Sequence, residues 1–180
     1  MSKNMRMQFF SHEWAALEDD AKANQIVDAY QSHMNAFPGS LGRKVRRFVS
    51  KHSLNGALLD HLRIYRKSRK VELVLVAGDQ QVGYSRLALN YDFSRFIGVT
   101  HMQLSNILSR RNVVIRFDEF GHSRKSKPYA SQTAVHRLLL WPREFGGFAI
   151  EFRDMHFSAS PLKCRKYVSY GSVFEILRNR

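Results

Sequence analysis

The chain has 180 residues and carries 29 Lys or Arg against 15 Asp or Glu, which gives a formal net charge of +14 at pH 7. Its apolar content of 44% excludes general disorder, and its length suits a single domain, residues 1–180, with a hydrophobic core. Cys164 is the only cysteine, and neither a signal peptide nor an apolar run of about 18 residues is present, which predicts a cytoplasmic protein without a disulfide or a membrane segment.

Residues 1–56 are predicted to form the helical part of the domain. Apolar residues that recur with a period of about 3.6 indicate the first helix: Trp14, Leu17, Ala21, Ile26, Tyr30 and Met34. We expect Ser11 to cap its N-terminus, and Pro38 with Gly39 to end it. A second helix is predicted over residues 41–52, with five cations outside its apolar stripe: Arg43, Lys44, Arg46, Arg47 and Lys51.

Residues 57–180 are predicted to form the sheet part, because the apolar period changes there from about 3.6 to 2. Alternating or apolar runs separated by turns predict strands in the following places: 62–65, 71–77, 87–91, 113–117, 137–141 and 148–152. A short helix is predicted over residues 100–110, and residues 167–177 are expected to add a strand with a short terminal helix. The pattern predicts an α+β fold in which N-terminal helices precede a twisted antiparallel meander of about six strands with a short inserted helix.

The second face of this sheet is expected to be partly covered. Some of its residues are apolar, which is unusual for a face that meets water: Val74, Val76, Val114 and Leu139. We expect the N-terminal helices to provide that cover.

The motifs of catalysis and metal binding are missing from the sequence. The histidines lack zinc-type spacing, and there is no Gly-rich phosphate loop, nucleophile elbow or dinucleotide fingerprint. Asp60 and His61 are adjacent in a predicted strand, so we expect them to point to opposite faces and to have a structural role; Asp118 and Glu119 should also face apart. We therefore expect no enzyme activity, no catalytic residues, no metal and no cofactor.

Positive charge is concentrated in one part of the chain. Residues 37–70 contain ten Lys or Arg against one acid, Asp60, an excess of nine charges. Candidate partner-binding cations lie on the second helix, on a basic turn and on a later loop: Arg43, Lys44, Arg46, Arg47, Lys51, Lys67, Arg69, Lys70, Arg124 and Lys125. This pattern indicates an anionic partner, either an acidic protein or a nucleic acid, although a solvated basic surface is the simpler alternative. Exposed aromatic anchors would be Tyr65, Tyr84 and Trp141.

Several short motifs resemble an uncharacterised bacterial family of domains of unknown function. The start, Met7-Gln8-Phe9-Phe10-Ser11-His12-Glu13-Trp14, is similar to the family's "FFTKEW" opening, and Leu59-Asp60-His61-Leu62-Arg63-Ile64 resembles its first strand with an L-H-D-like motif, here with the acid and the histidine exchanged. The end resembles its "H-x-L-L" and "I-E-F-x-D-F" strands, at residues 136–140 and 150–155.

The resemblance extends over most of residues 7–158. The order of elements is also similar to that of several small immunity proteins of bacterial toxin systems. It implies a non-enzymatic cytosolic binder, including an immunity protein that binds and neutralises a cognate toxin. The family has no established catalytic residues to assign. A basic immunity protein would suit a toxin with an acidic surface.

Overall fold

The computed structural model describes residues 6–79, 81, 83–109, 113–122, 133–162 and 173–177. Within these ranges the helices are α1 (Asp20–Asn35), α2 (Gly39–Val49) and α3 (His101–Leu108). The strands are β1 (Leu58–Tyr65), β2 (Lys70–Asp79), β3 (Gly83–Ile97), β4 (Val114–His122), β5 (Ala134–Trp141), β6 (Gly147–Leu162) and β7 (Val173–Leu177). Short 3-10 turns occupy Trp14–Ala16 and Arg143–Phe145.

The first helix starts later than the sequence predicts. Leu17 has an extended backbone (φ −68°, ψ 127°), which ends the 3-10 turn before α1 begins. Asp19 caps α1, because its carboxylate accepts from the backbone N–H groups of Ala21 and Lys22. Ser11 lies before the 3-10 turn, where its hydroxyl accepts from the Trp14 N–H at 3.2 Å. The prediction of one helix capped by Ser11 is therefore wrong.

The helix α2 packs closely against the end of α1. A Cβ added at Gly42 would lie 2.1 Å from the carbonyl oxygen of Phe37, so only glycine fits where the two helices meet. The apolar side of α2 faces the sheet: the Phe48 ring lies 5.9 Å from Phe120 and 5.2 Å from Phe157, between centroids. This packing buries the apolar stripe that the sequence predicts.

The sheet confirms the predicted α+β class. Its strand order is β2-β3-β6-β5-β4-β1-β7, and β2 also pairs with β1, so strands β1 to β6 close into a ring. Each neighbouring pair in the ring is antiparallel, whereas β7 adds to β1 in parallel. The edge of β1 is shared, since Leu58 pairs with Val114 of β4 and the stretch from His61 to Tyr65 pairs with β7.

The outer face over β4 and β5 is covered by the segment that precedes α1. Met7 packs with Phe117 and Leu139, and the Trp14 ring lies 5.2 Å from the Phe117 ring. The predicted cover over Leu139 thus comes from the segment before α1, whereas the apolar side of α2 packs on the main core that the closed sheet surrounds.

A buried carboxylate holds this N-terminal segment in place. Glu119 has no exposed surface, and its oxygens accept from the backbone N–H groups of Gln8 at 2.7 Å and Phe9 at 2.8 Å. The Arg137 guanidinium, also buried, lies 3.4 Å from the same carboxylate. A buried charge must be bonded to be tolerated, so these contacts explain why the segment docks at this position.

Candidate anion-binding surface

The five candidate cations of α2 divide into two groups. The Lys44 ammonium lies 2.6 Å from the Asp154 carboxylate of β6. Arg46 donates to backbone carbonyls at the end of α1, at 2.6 Å to Phe37 and 3.3 Å to Met34. Both side chains are therefore bonded within the molecule, so they are less available to a partner than the other cations of α2.

The contact with Lys44 also alters the pKa of Asp154. Burial works to raise the pKa of Asp154, but the Lys44 hydrogen bond, the Met155 N–H and the Lys44 charge together lower it. A carboxylate with a lowered pKa stays ionised near neutral pH, so it neutralises Lys44.

The other candidates on α2 point away from the protein. Arg43 and Arg47, one helical turn apart, and Lys51, just beyond the helix, are exposed and have no carboxylate partner among the described residues. Like charges four residues apart destabilise a helix by about 0.2 to 0.5 kcal/mol. Arg43 and Arg47 therefore do not stabilise the helix through each other.

The basic turn between β1 and β2 presents a second exposed group. Lys67, Arg69 and Lys70 are exposed there, and none has a carboxylate partner within the described ranges. Arg124 and Lys125 lie outside the described residues. Of the predicted aromatic anchors, Trp141 is 50% exposed, while Tyr65 and Tyr84 are half-buried.

A cavity of about 480 Å³ adjoins this turn. Three arginines line it, Arg66 and Arg69 from the turn and Arg153 from β6, with Asp92 as the acid. The remaining lining residues are apolar or aromatic: Ile64, Tyr65, Phe93 and His101. The three guanidinium groups have no carboxylate partner in the described part of the chain.

The backbone at Arg69 is in the left-handed region, with φ at 50°. This conformation costs an L-residue about 1–2 kcal/mol, and glycine is the usual residue there. The turn is anchored to β3, because the Phe93 N–H donates to the Arg69 carbonyl at 2.8 Å. Among the described residues, Arg69 is the only non-glycine residue with a positive φ, a conformation that is uncommon for such residues.

Arg153 lies at a β-bulge. Asp92 pairs with Asp154 and Phe93 pairs with Phe152, so Arg153 has no residue opposite it on β3. Bulges redirect side chains and are common beside binding sites. Two irregularities of the backbone, at Arg69 and Arg153, thus supply arginines to the same cavity.

The adjacent pair Asp60 and His61 does not point apart as predicted. The register shifts between Leu59 and His61, so Asp60 is the extra residue of a bulge, and His61 Nδ1 lies 3.2 Å from the Asp60 carboxylate. Strict alternation fails at a bulge, and the prediction of opposite faces is wrong for that reason. Arg86 lies 3.3 Å from the same carboxylate, which places this buried pair in an ion-pair network.

Tyr65 connects this network to the cavity. Its hydroxyl donates to Glu72 at 3.1 Å, and Glu72 lies 3.8 Å from His61. Burial first, and then the Glu72 charge and hydrogen bond, raise the pKa of Tyr65. The side chain of Tyr65, one of the residues that line the cavity, is thus held in one orientation.

A second polar chain lies inside the closed sheet, and the sequence did not indicate it. His136 bridges the Tyr91 hydroxyl, 2.7 Å from Nδ1, and the Asp118 carboxylate, 3.0 Å from Nε2. Burial, and then the Asp118 charge, raise the pKa of Tyr91. Tyr91 is 1% and His136 0% exposed, so both lie in the core, whereas the Asp118 side chain is 17% exposed. Asp118 and Glu119 bond different partners on opposite faces of the sheet, which confirms the prediction that their side chains face apart.

Among the described residues, no three His, Cys, Asp or Glu side chains converge in a way that could hold a metal ion. None of the helices in the described ranges combines the length and the apolar character that a membrane crossing requires. Comparisons with protein-family models, with curated proteins and with solved structures find no match to this chain.

Proposed function

We propose that this chain is a non-enzymatic cytoplasmic binding protein that docks an acidic protein through its exposed cations. One observation carries the proposal: α2 uses Lys44 and Arg46 inside the molecule but leaves Arg43, Arg47 and Lys51 in water without a carboxylate partner among the described residues. Exposed charges of one sign accelerate the capture of an oppositely charged partner and fix its orientation.

The family resemblance favours a cognate toxin as that partner, which would make the chain an immunity protein. The positive surface implies that the toxin presents Asp and Glu side chains. Arginine suits this contact, because its planar guanidinium binds a carboxylate through two parallel hydrogen bonds.

The test is a capture experiment in extract of the native host with three forms of the protein. The wild type should retain an acidic protein, and a triple variant, Arg43→Glu, Arg47→Glu and Lys51→Glu, should lose it. A matched triple, Arg6→Glu, Lys22→Glu and Arg143→Glu, makes the same change of charge at other exposed positions and should retain it. Equal capture by both triples would overturn the proposal.

Nucleic acid is the second candidate, and it is favoured by the aromatic ring of Tyr65 beside the basic turn. Bases stack on such rings while cations bind the phosphates. Each phosphate contact with a single strand would steepen the dependence of log affinity on log salt by about 0.7. An affinity for single strands that stays constant between low and moderate salt would exclude this candidate.

A further inference from the structure

We propose that the cavity beside the β1–β2 turn binds a phosphate monoester attached to a planar ring, a mononucleotide being the simplest ligand of this class. The cavity is formed by residues other than the α2 cations, so this inference does not depend on the acidic protein partner. It rests on the charge of the lining, on its aromatic walls and on the two backbone irregularities at Arg69 and Arg153.

Charge distinguishes a phosphate from a carboxylate here. Arg66, Arg69 and Arg153 against Asp92 leave the lining with two net positive charges. A phosphate monoester carries about −1.5 to −2 charges at pH 7 and three acceptor oxygens, so it matches both the charge and the donors. A single carboxylate would leave part of this charge unmatched.

The walls explain why the phosphate should carry a ring. Tyr65 and Phe93 line the cavity, and Glu72 holds the Tyr65 hydroxyl at 3.1 Å, so that ring is already oriented. Aromatic faces stack on nucleobases, by about 1–3 kcal/mol per base in single-strand binding. The volume of about 480 Å³ lies within the size range of small-molecule sites. Asp92 can accept a hydrogen bond from a sugar hydroxyl or a base amino group.

Two features of the backbone, at Arg69 and Arg153, support a binding site in this cavity. A glycine at position 69 would remove the cost of the positive φ, and regular pairing at position 153 would remove the bulge. Departures from such local rules are expected at functional or strained sites. Here two such departures, on elements far apart in sequence, line one cavity.

The experiment is calorimetric titration of the full chain with the four ribonucleoside 5′-monophosphates, the matching nucleosides and inorganic phosphate. At least one mononucleotide should bind about tenfold or more tightly than its nucleoside and than inorganic phosphate, because charge-assisted hydrogen bonds and stacking each contribute. If every mononucleotide binds no better than inorganic phosphate, the ring has no role and the proposal is overturned.

Two variants locate the site. Arg69→Gly and Arg153→Gln should each weaken mononucleotide binding about tenfold, whereas Arg143→Gln, the same loss of charge at an exposed position outside the cavity, should change it less than about twofold. Equal weakening in all three would mean diffuse electrostatic attraction and would overturn the proposal. Arg69→Gly is also the folding control, since glycine accepts the positive φ and should unfold at the same temperature as the wild type or higher.

A further titration distinguishes a free mononucleotide from the 5′-phosphorylated end of a nucleic-acid strand as the natural ligand. A short single strand with a 5′-phosphate presents the same group as a free mononucleotide. Tighter binding of the phosphorylated strand than of its unphosphorylated copy, lost in Arg153→Gln, assigns the cavity to strand ends. Equal binding of the two strands, together with tight mononucleotide binding, assigns it to the free ligand.

Discussion

Arginine has opposite uses in two regions of this molecule. Beneath the N-terminal segment, Arg137 lies 3.4 Å from the fully buried Glu119, and the pair holds that segment on the sheet. Around the cavity, Arg66, Arg69 and Arg153 have no carboxylate partner in the described residues. The comparison separates an arginine that is paired inside the fold from arginines that have no carboxylate partner among the described residues, and the first kind should be costly to remove.

The largest effect is expected at Glu119. Glu119→Gln removes the charge that Arg137 and the amides of residues 8–10 bind, so the free energy of unfolding should fall by about 3–5 kcal/mol. Urea unfolding followed by tryptophan fluorescence measures this, since Trp14 lies in the released segment. Glu144→Gln, at an exposed position, is the control and should change little. A loss below about 1 kcal/mol would mean that the ion pair does not hold the segment.

The next largest effect is expected at Arg46, and Arg43 on the same helix provides the comparison. Arg46→Ala removes hydrogen bonds to the last carbonyls of α1 and should cost about 1.5–3 kcal/mol of stability. Arg43→Ala, three residues earlier and exposed, should stay within about 0.5 kcal/mol. If both variants lose the same stability in urea unfolding, the division of α2 into bonded and exposed cations is wrong.

A smaller effect is expected at Lys44. Its side chain and that of Asp154 are 35% and 39% exposed, so Lys44→Ala should cost no more than about 1 kcal/mol. The loss should shrink in about 1 M salt, where the screening length is about 3 Å. A difference from the wild type that is independent of salt would attribute the loss to packing of the lysine stem.

The smallest effect is a change of stability with pH. Burial first, and then His33, lower the pKa of His122, whose ring stacks on Phe37 at 4.3 Å. The unfolded chain therefore binds a proton more readily than the native protein does, and stability present above pH 6.5 should be lost as pH falls through the native pKa. The loss should stay below about 1 kcal/mol, because the ring is partly solvated.

Unfolding in urea at several pH values between neutral and mildly acidic conditions measures this slope. His122→Gln should reduce this slope, because it removes the group whose pKa burial lowers. A steeper slope in His122→Gln would mean that His122 is better protonated in the native protein than in the unfolded chain.

Local patterns predicted most of the elements. The stripe of Leu41, Val45 and Phe48 predicted α2, and the spacing of Leu104, Ile107 and Leu108 predicted α3. In the structure Thr100 and Gln103 form a capping box at the start of α3. The start of α1 was missed because two capping residues, Ser11 and Asp19, compete, and only the carboxylate bonds two helix amides.

The site was much less predictable, because distant strands determine it. Lys44 looked exposed in a helical pattern, but its partner Asp154 is 110 residues away. The bulges at Asp60 and Arg153 exist only in the pairing of β1 with β2 and of β3 with β6. The sequence indicated Lys67, Arg69 and Lys70 through charge alone, and it did not indicate that Arg153 and Phe93 line a cavity beside them.

The parallel strand β7 has a consequence for association between copies. Its five residues run beside β1 from His61 to Tyr65 and occupy the peptide groups that β4 leaves open beyond Leu58. A chain shortened before Val173 would expose that edge, and an unprotected edge is a template on which another chain can add a strand. Strand β7 therefore covers an edge of β1 that would otherwise be open to pairing with another chain.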